Sequence, residues 1–197
     1  MSDRVAAGLS WAKPVSVDVR PCAAAVQADG LLAGCARLIE ATADGVYVGS
    51  SRVLPSGTIG KHVRHVLDHF AAALGVLEGA TSVIDYDQRA RETPMERSRA
   101  AALDQIVALR EQLGRVSDAV AGRVVTVRLM LAADGTVGEF GSTLAREVNF
   151  ATHHAEHHQA MIGAIGRELG VAVPADFGKA PSTLEYERRR GPVAGGR

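Results

Sequence analysis

The stretch "LAREVNFATHHAEHHQAMIGAIGREL", residues 144–169, carries two patterns on one repeat. Leu144, Val148, Ala151, Ala155, Ile162, Ile165 and Leu169 recur at alternating steps of four and three, the interval that lines side chains along one face of an α-helix. His158 fills the one step where an apolar residue is missing. A helix with a single apolar stripe has to bury that stripe against other elements, so this segment decides for helix-on-helix packing. Ser142 is the expected N-cap and Gly170 the expected stop.

Three further helices read outward from this one. "CAAAVQADGLLAGCARLIEATADGVY" spaces alanine, leucine and isoleucine at helical intervals and predicts helix one over Val19 to Thr42. Helix two is expected from Thr58, its cap, to Gly79, with Ile59, Val63, Val66, Phe70 and Leu77 on its seam. In "MERSRAAALDQIVALREQLGRVSDAVAG", Leu103, Ile106, Leu109, Leu113 and Val116 share a stripe, and Gly122 is the expected end of helix three. "TSVIDYDQRARETP" reads as a polar connection. In "RVVTVRLMLAADGTVGEF" the period drops to two, and Asp134-Gly135 is a tight-turn pair. The predicted fold class is all-α: an antiparallel four-helix bundle with a small β-hairpin inserted between helices three and four. The expected organisation is an N-terminal arm over 1–18, the bundle over 19–186 and a disordered basic tail over 187–197.

Composition excludes several functions. Lysine plus arginine number 22 and aspartate plus glutamate 22, so no net field draws the chain to nucleic acid or to an anionic membrane. Aromatic residues for base stacking make up only 4%. The first twenty residues hold no apolar run long enough for a secretory signal or a span, and the expected location is cytoplasmic. Cys22 and Cys35 fall on one helix, roughly 20 Å apart at about 1.5 Å per residue, too far for a disulfide. No cationic neighbour in that helix activates either thiol, so both read as small core residues.

All seven histidines lie in two of the helices: His62, His65 and His69 in the second, and His153, His154, His157 and His158 in the fourth. At about 100° per residue His154 sits roughly 70° from the centre of the seam and about 40° from His158. That makes an inward pair one turn apart, able to present two imidazoles to one ion. His153 lies almost opposite the seam and His157 well off it, so both are expected at the surface. Glu147 shares the inward stripe and is a candidate for orienting a histidine ring. In helix two the three histidines form a stripe about 60° wide beside the seam, with His62 and His69 nearer to it than His65. One of them would complete a three-histidine set.

"TIGKHVRHVLDHF" and "HAEHHQAMI" resemble the two signatures of the DinB-like (YfiT-like) superfamily, four-helix bundles whose metal site takes one histidine from the second helix and an HxxxH pair from the fourth. The resemblance covers roughly residues 20–185. Aligning Ile59-Gly60 with the apolar-glycine pair of that family selects His65, and the second motif selects His154 and His158. The resemblance implies one divalent transition metal ion, such as zinc, nickel or iron, and a metal-dependent transferase or hydrolase. It would act on a small-molecule substrate, with a low-molecular-weight thiol or a water as the activated group. A non-catalytic metal-binding or small-molecule-binding bundle is the alternative, and a homodimer is a compatible assembly. Hemerythrin-like and ferritin-like di-metal sites require carboxylate-bearing motifs that the chain lacks. Asp68, Tyr86, Asp87 and Arg89 are polar candidates for a pocket mouth.

Overall fold

The computed structural model describes residues 20–79, 81–88 and 93–191; the expected arm over 1–18 and residues 192–197 lie outside it. Seven helices and three strands follow one another along the described chain. They are α1 (Ala23–Glu40), α2 (Asp44–Tyr47), α3 (Ile59–Leu74), β1 (Val83–Asp85), α4 (Arg99–Gly114), α5 (Asp118–Ala121), β2 (Val124–Met130), β3 (Val137–Thr143), α6 (Leu144–Glu168) and α7 (Pro181–Arg190). None of these helices is long and apolar enough to cross a membrane.

Local chemistry sets most of the boundaries. Thr58 starts α3 by accepting a hydrogen bond from the Lys61 amide, and Ser98 starts α4 by accepting from Ala101. Helix one begins at Ala23, after Pro21, and its cap residue Cys22 donates its amide to the Val116 carbonyl at 2.8 Å. That bond ties the start of α1 to the end of α4. Helix α6 closes on Gly170 in a left-handed conformation (φ 83°), while the Val171 amide reaches back 2.7 Å to the Gly166 carbonyl.

The four long helices contact one another in a closed circuit, with α3 on α6, α6 on α1, α1 on α4 and α4 on α3. Leu32, Ile39, Val63, Phe70, Ile106, Leu109, Val148 and Ile162 meet in the resulting core. A fully buried side chain of this size contributes about 1.5–3 kcal/mol. An exposed pair such as Arg115–Glu78 is screened by solvent and contributes little, so the apolar seams hold the helices together. Gly60 shows how close that packing is. A Cβ there would lie 2.1 Å from the Glu96 carbonyl oxygen and 2.8 Å from the Tyr47 ring. Beside it the Tyr47 hydroxyl donates to the Met95 carbonyl at 2.7 Å.

Four expectations are corrected. The β element is a three-stranded mixed sheet rather than a hairpin alone: β2 and β3 pair antiparallel, and β1, from the segment read as a polar connection, pairs parallel with β2 in the register Val83 to Thr126. Helix three stops at Gly114 instead of Gly122, because Ser117 caps a new short helix by accepting from Val120. Thr143, not Ser142, caps α6, since Ser142 is paired in β3 and its hydroxyl is committed to Glu147. The first residues of the expected disordered tail, 187–190, belong to α7, where Glu185 pairs with Arg188 and Arg189 one turn ahead.

Candidate metal centre

Helices α3 and α6 pack directly against each other and bring five histidine rings together. His65, His154 and His158, each half-buried, offer one ring nitrogen apiece, and these atoms all lie within 4.8 Å of one another. His65 Nε2 and His154 Nε2 are 2.9 Å apart. Two imidazole nitrogens held about 2.0–2.1 Å from one ion at a tetrahedral angle stand roughly 3.3 Å apart, inside this range of spacings. The donor set therefore fits a single divalent ion.

The two other histidines of α3 flank the three. His62 Nδ1 lies 3.0 Å from His158 Nδ1, so one ring donates to the other. Buried His69 donates Nδ1–H to the His65 carbonyl at 2.9 Å and stacks on His154 with ring centroids 4.0 Å apart. His153 and His157 are exposed, and His153 Nδ1 stands 3.4 Å from Glu156. Burial, reinforced by the neighbouring His154, His62, His157 and His69, pushes the His158 imidazole down to about 3. His62 is lowered too, first by burial and then by His157. Both rings are thus neutral at pH 7, the state that can donate a lone pair to a metal.

Glu147 does not orient a histidine directly. Fully buried, it accepts from the Tyr86 hydroxyl at 2.9 Å, the Ser142 hydroxyl at 2.6 Å and Arg146 at 2.9 Å. Tyr86 in turn stacks on His69 at 5.3 Å, so the carboxylate supports the cluster through two intervening rings. That role for Tyr86 was hidden in the sequence, because the residue sits in a polar loop just past a strand only three residues long. Asp85 and Asp87 serve the same turn: Asp85 accepts from the amides of Asp87 and Gln88, and Asp87 from that of Met130. Asp68 is half-buried on α3, and Arg89 lies outside the described residues. Cys22 and Cys35 are buried free thiols, and burial raises Cys35 to about 12, which removes it as a nucleophile.

A cavity of about 420 Å³ opens on His62, His65 and His158. One wall is the loop through Leu54, Pro55 and Gly57, the other is α3 with Lys61 and Arg64. Glu168, at the end of α6, fixes that loop by accepting from the Ser51 hydroxyl and from the Arg52 amide at 2.8 Å.

A family model described as the DinB superfamily matches residues 35–162, a span holding all seven histidines and all four long helices in whole or part. The chain belongs to the DinB superfamily. This DinB-superfamily chain is also 32% identical over 164 residues to FK506-binding protein 5 of Rhizopus delemar, an alignment covering 82% of the chain and 37% of that protein. The chain thus spans little more than a third of the length of that relative. No solved structure matches it.

Proposed function

We propose that the chain is an antiparallel four-helix-bundle enzyme in which His65, His154 and His158 hold one divalent transition ion, zinc, nickel or iron. The observation that carries this reading is the convergence of three ring nitrogens from two helices, two of whose rings, His65 and His158, open on a cavity of about 420 Å³. When bound, the ion supplies Lewis-acid chemistry that lowers the pKa of a thiol or a water in a coordination position left open by three protein ligands. The residues around it supply orientation and access. His69 holds α3 and α6 in register by stacking on His154, and Leu54 and Pro55 narrow the approach of bulk water. Lys61 and Arg64 place two cations on the cavity wall, suited to gripping the carboxylate of a small thiol cosubstrate while its sulfur faces the histidines. Transfer of that thiol to an electrophile, or hydrolysis with water in its place, are the two outcomes this arrangement serves.

One observation favours a second reading, a non-catalytic site: His62 Nδ1 lies 3.0 Å from His158 Nδ1, and a shift of the His62 ring toward His65 and His154 would add a fourth ligand and close the coordination sphere. Cobalt substitution separates the two. In the open site, a low-molecular-weight thiol produces sulfur-to-metal charge-transfer absorption and changes the visible spectrum. A spectrum that neither thiols nor small anions alter would refute the enzyme reading in favour of four-histidine closure.

A further inference from the structure

A second cavity, about 590 Å³, lies on the face of α6 turned toward α1, with none of the five clustered histidines in its lining, and the segment through 172–184 covers it. Its α1 wall carries Gly30 and Gly34. A Cβ at Gly30 would meet nothing within 4 Å, and one at Gly34 only the Arg37 Nη2 at 3.7 Å. Neither glycine has a positive φ, and glycine weakens a helix interior, so the fold of α1 would be better served by alanine at both positions. What the two glycines do is widen the cavity.

Two polar side chains on α6 line the same space. Gln159 is 5% exposed; its Nε2 donates to the Leu31 carbonyl at 3.0 Å, while its amide oxygen accepts no hydrogen bond among the described residues. Glu156 is 8% exposed and is met by Gln27 at 3.3 Å and by His153 at 3.4 Å. Both distances are long against the roughly 2.7–2.9 Å of a charge-assisted bond. The Glu156 carboxylate and the Gln159 amide oxygen keep accepting capacity on residues that line the cavity, which suits a donor carrying positive charge.

At the other end of the α1 wall, the exposed Arg37 guanidinium makes no ion pair among the described residues and turns back beside Gly34. Gln27, which touches Glu156, and Gly34 are seven residues apart on one helix, roughly 10 Å along its axis. An extended chain of three residues also spans about 10 Å. Leu31, Leu38 and Phe177 give the stretch between the two ends an apolar lining.

We infer that this cavity binds a short zwitterionic peptide of about three residues, its ammonium group against Glu156 and Gln159 and its carboxylate against Arg37. The probe is trialanine, titrated into the isotopically labelled full chain and followed by amide chemical shifts, with N-acetyl-trialanine and trialanine amide as the end-capped controls. Trialanine gives saturable shifts confined to α1, the middle of α6 and 172–184, and each capped peptide binds at least about tenfold more weakly. Glu156→Gln and Arg37→Gln each weaken binding by about the same factor. Gly34→Ala raises the melting temperature and lowers the affinity together, a combination that a purely structural glycine does not produce. Should Glu156→Gln fold poorly, the exposed Arg37→Gln carries the comparison alone. Absence of saturable shifts at about 10 mM trialanine, equal binding of the capped peptides, or indifference to Arg37→Gln overturns the inference. The titration is run on metal-depleted protein, so its outcome is independent of the histidine site.

Discussion

Gly60→Ala sets two physical effects of opposite sign against each other. Replacing a glycine in a helix interior by alanine favours the helix by about 1 kcal/mol, and Gly60, in the first turn of α3, gains at most that much. Here the new methyl would sit 2.1 Å from the Glu96 carbonyl oxygen, short of ordinary contact at 3.4 Å by about 1.3 Å, and 2.8 Å from the Tyr47 ring. The obstacle is backbone, which cannot rotate away, so α3 and the turn Pro94–Glu96 must separate. Overpacking of this kind costs about 1–3 kcal/mol, and an obstacle that cannot yield puts the cost at the upper end. Subtracting the helix gain leaves a net loss of about 2 kcal/mol, or roughly 4–8 °C in melting temperature for a domain of this size. Gly30→Ala is the matched control: its methyl meets nothing within 4 Å, so it shows the helix gain alone, a rise of roughly 2–4 °C. Thermal unfolding followed by circular dichroism at 222 nm checks both. A Gly60→Ala protein as stable as the parent would show that the approach of α3 to that turn is looser than described.

Three further outcomes follow from the site. His158→Ala abolishes stoichiometric metal binding, whereas His153→Ala, at an exposed position, leaves it nearly intact, as elemental analysis of the two proteins would show; equal losses would place the wrong face of α6 toward α3. For metal-free protein, the sign of the pH dependence follows from His158, which is neutral in the folded state down to about 3 but takes a proton below about 6.5 when unfolded. Stability is therefore full above about pH 6.5 and declines as the pH falls toward 3; denaturant midpoints that stay constant from pH 8 to pH 5 would contradict the neutral, buried ring. Tyr86→Phe removes one of three hydrogen bonds to the fully buried Glu147 carboxylate and costs about 1–3 kcal/mol, readable as a shift in urea midpoint without a change in slope.

The parts of this molecule that the sequence made legible are those governed by one strong local period. The four-and-three spacing from Leu144 to Leu169 is long enough that the inward side of α6 follows from counting, and the exposure of His153 and His157 beside half-buried His154 and His158 agrees with that rotation. Contacts between segments distant in the chain were not legible. Strand β1 has only three residues, too few for alternation to register, and its partner lies beyond the whole of α4. The break after Gly114 hides inside a continuous apolar stripe, where only the capping ability of Ser117 marks it. The basic run at the C-terminus suggested disorder, yet Glu185 is spaced to neutralise two of its arginines and α7 forms. On α3 the wheel favoured His62 and His69 over His65, and the structure draws all three rings into one cluster.

The parallel pairing of β1 with β2 bears on the order in which the molecule assembles. Strands β2 and β3 are neighbours in sequence and close as a hairpin in about 1–10 µs. Strand β1 joins them only by closing the long loop that contains α4, and the entropy lost in that closure makes this pairing slower than the hairpin. Tyr86 directly follows β1, and through its hydroxyl on Glu147 and its ring on His69 it completes one side of the histidine cluster. The strand with the most distant partner in the chain thus carries the residue that braces the site, which couples the histidine cluster to the longest-range pairing of the fold.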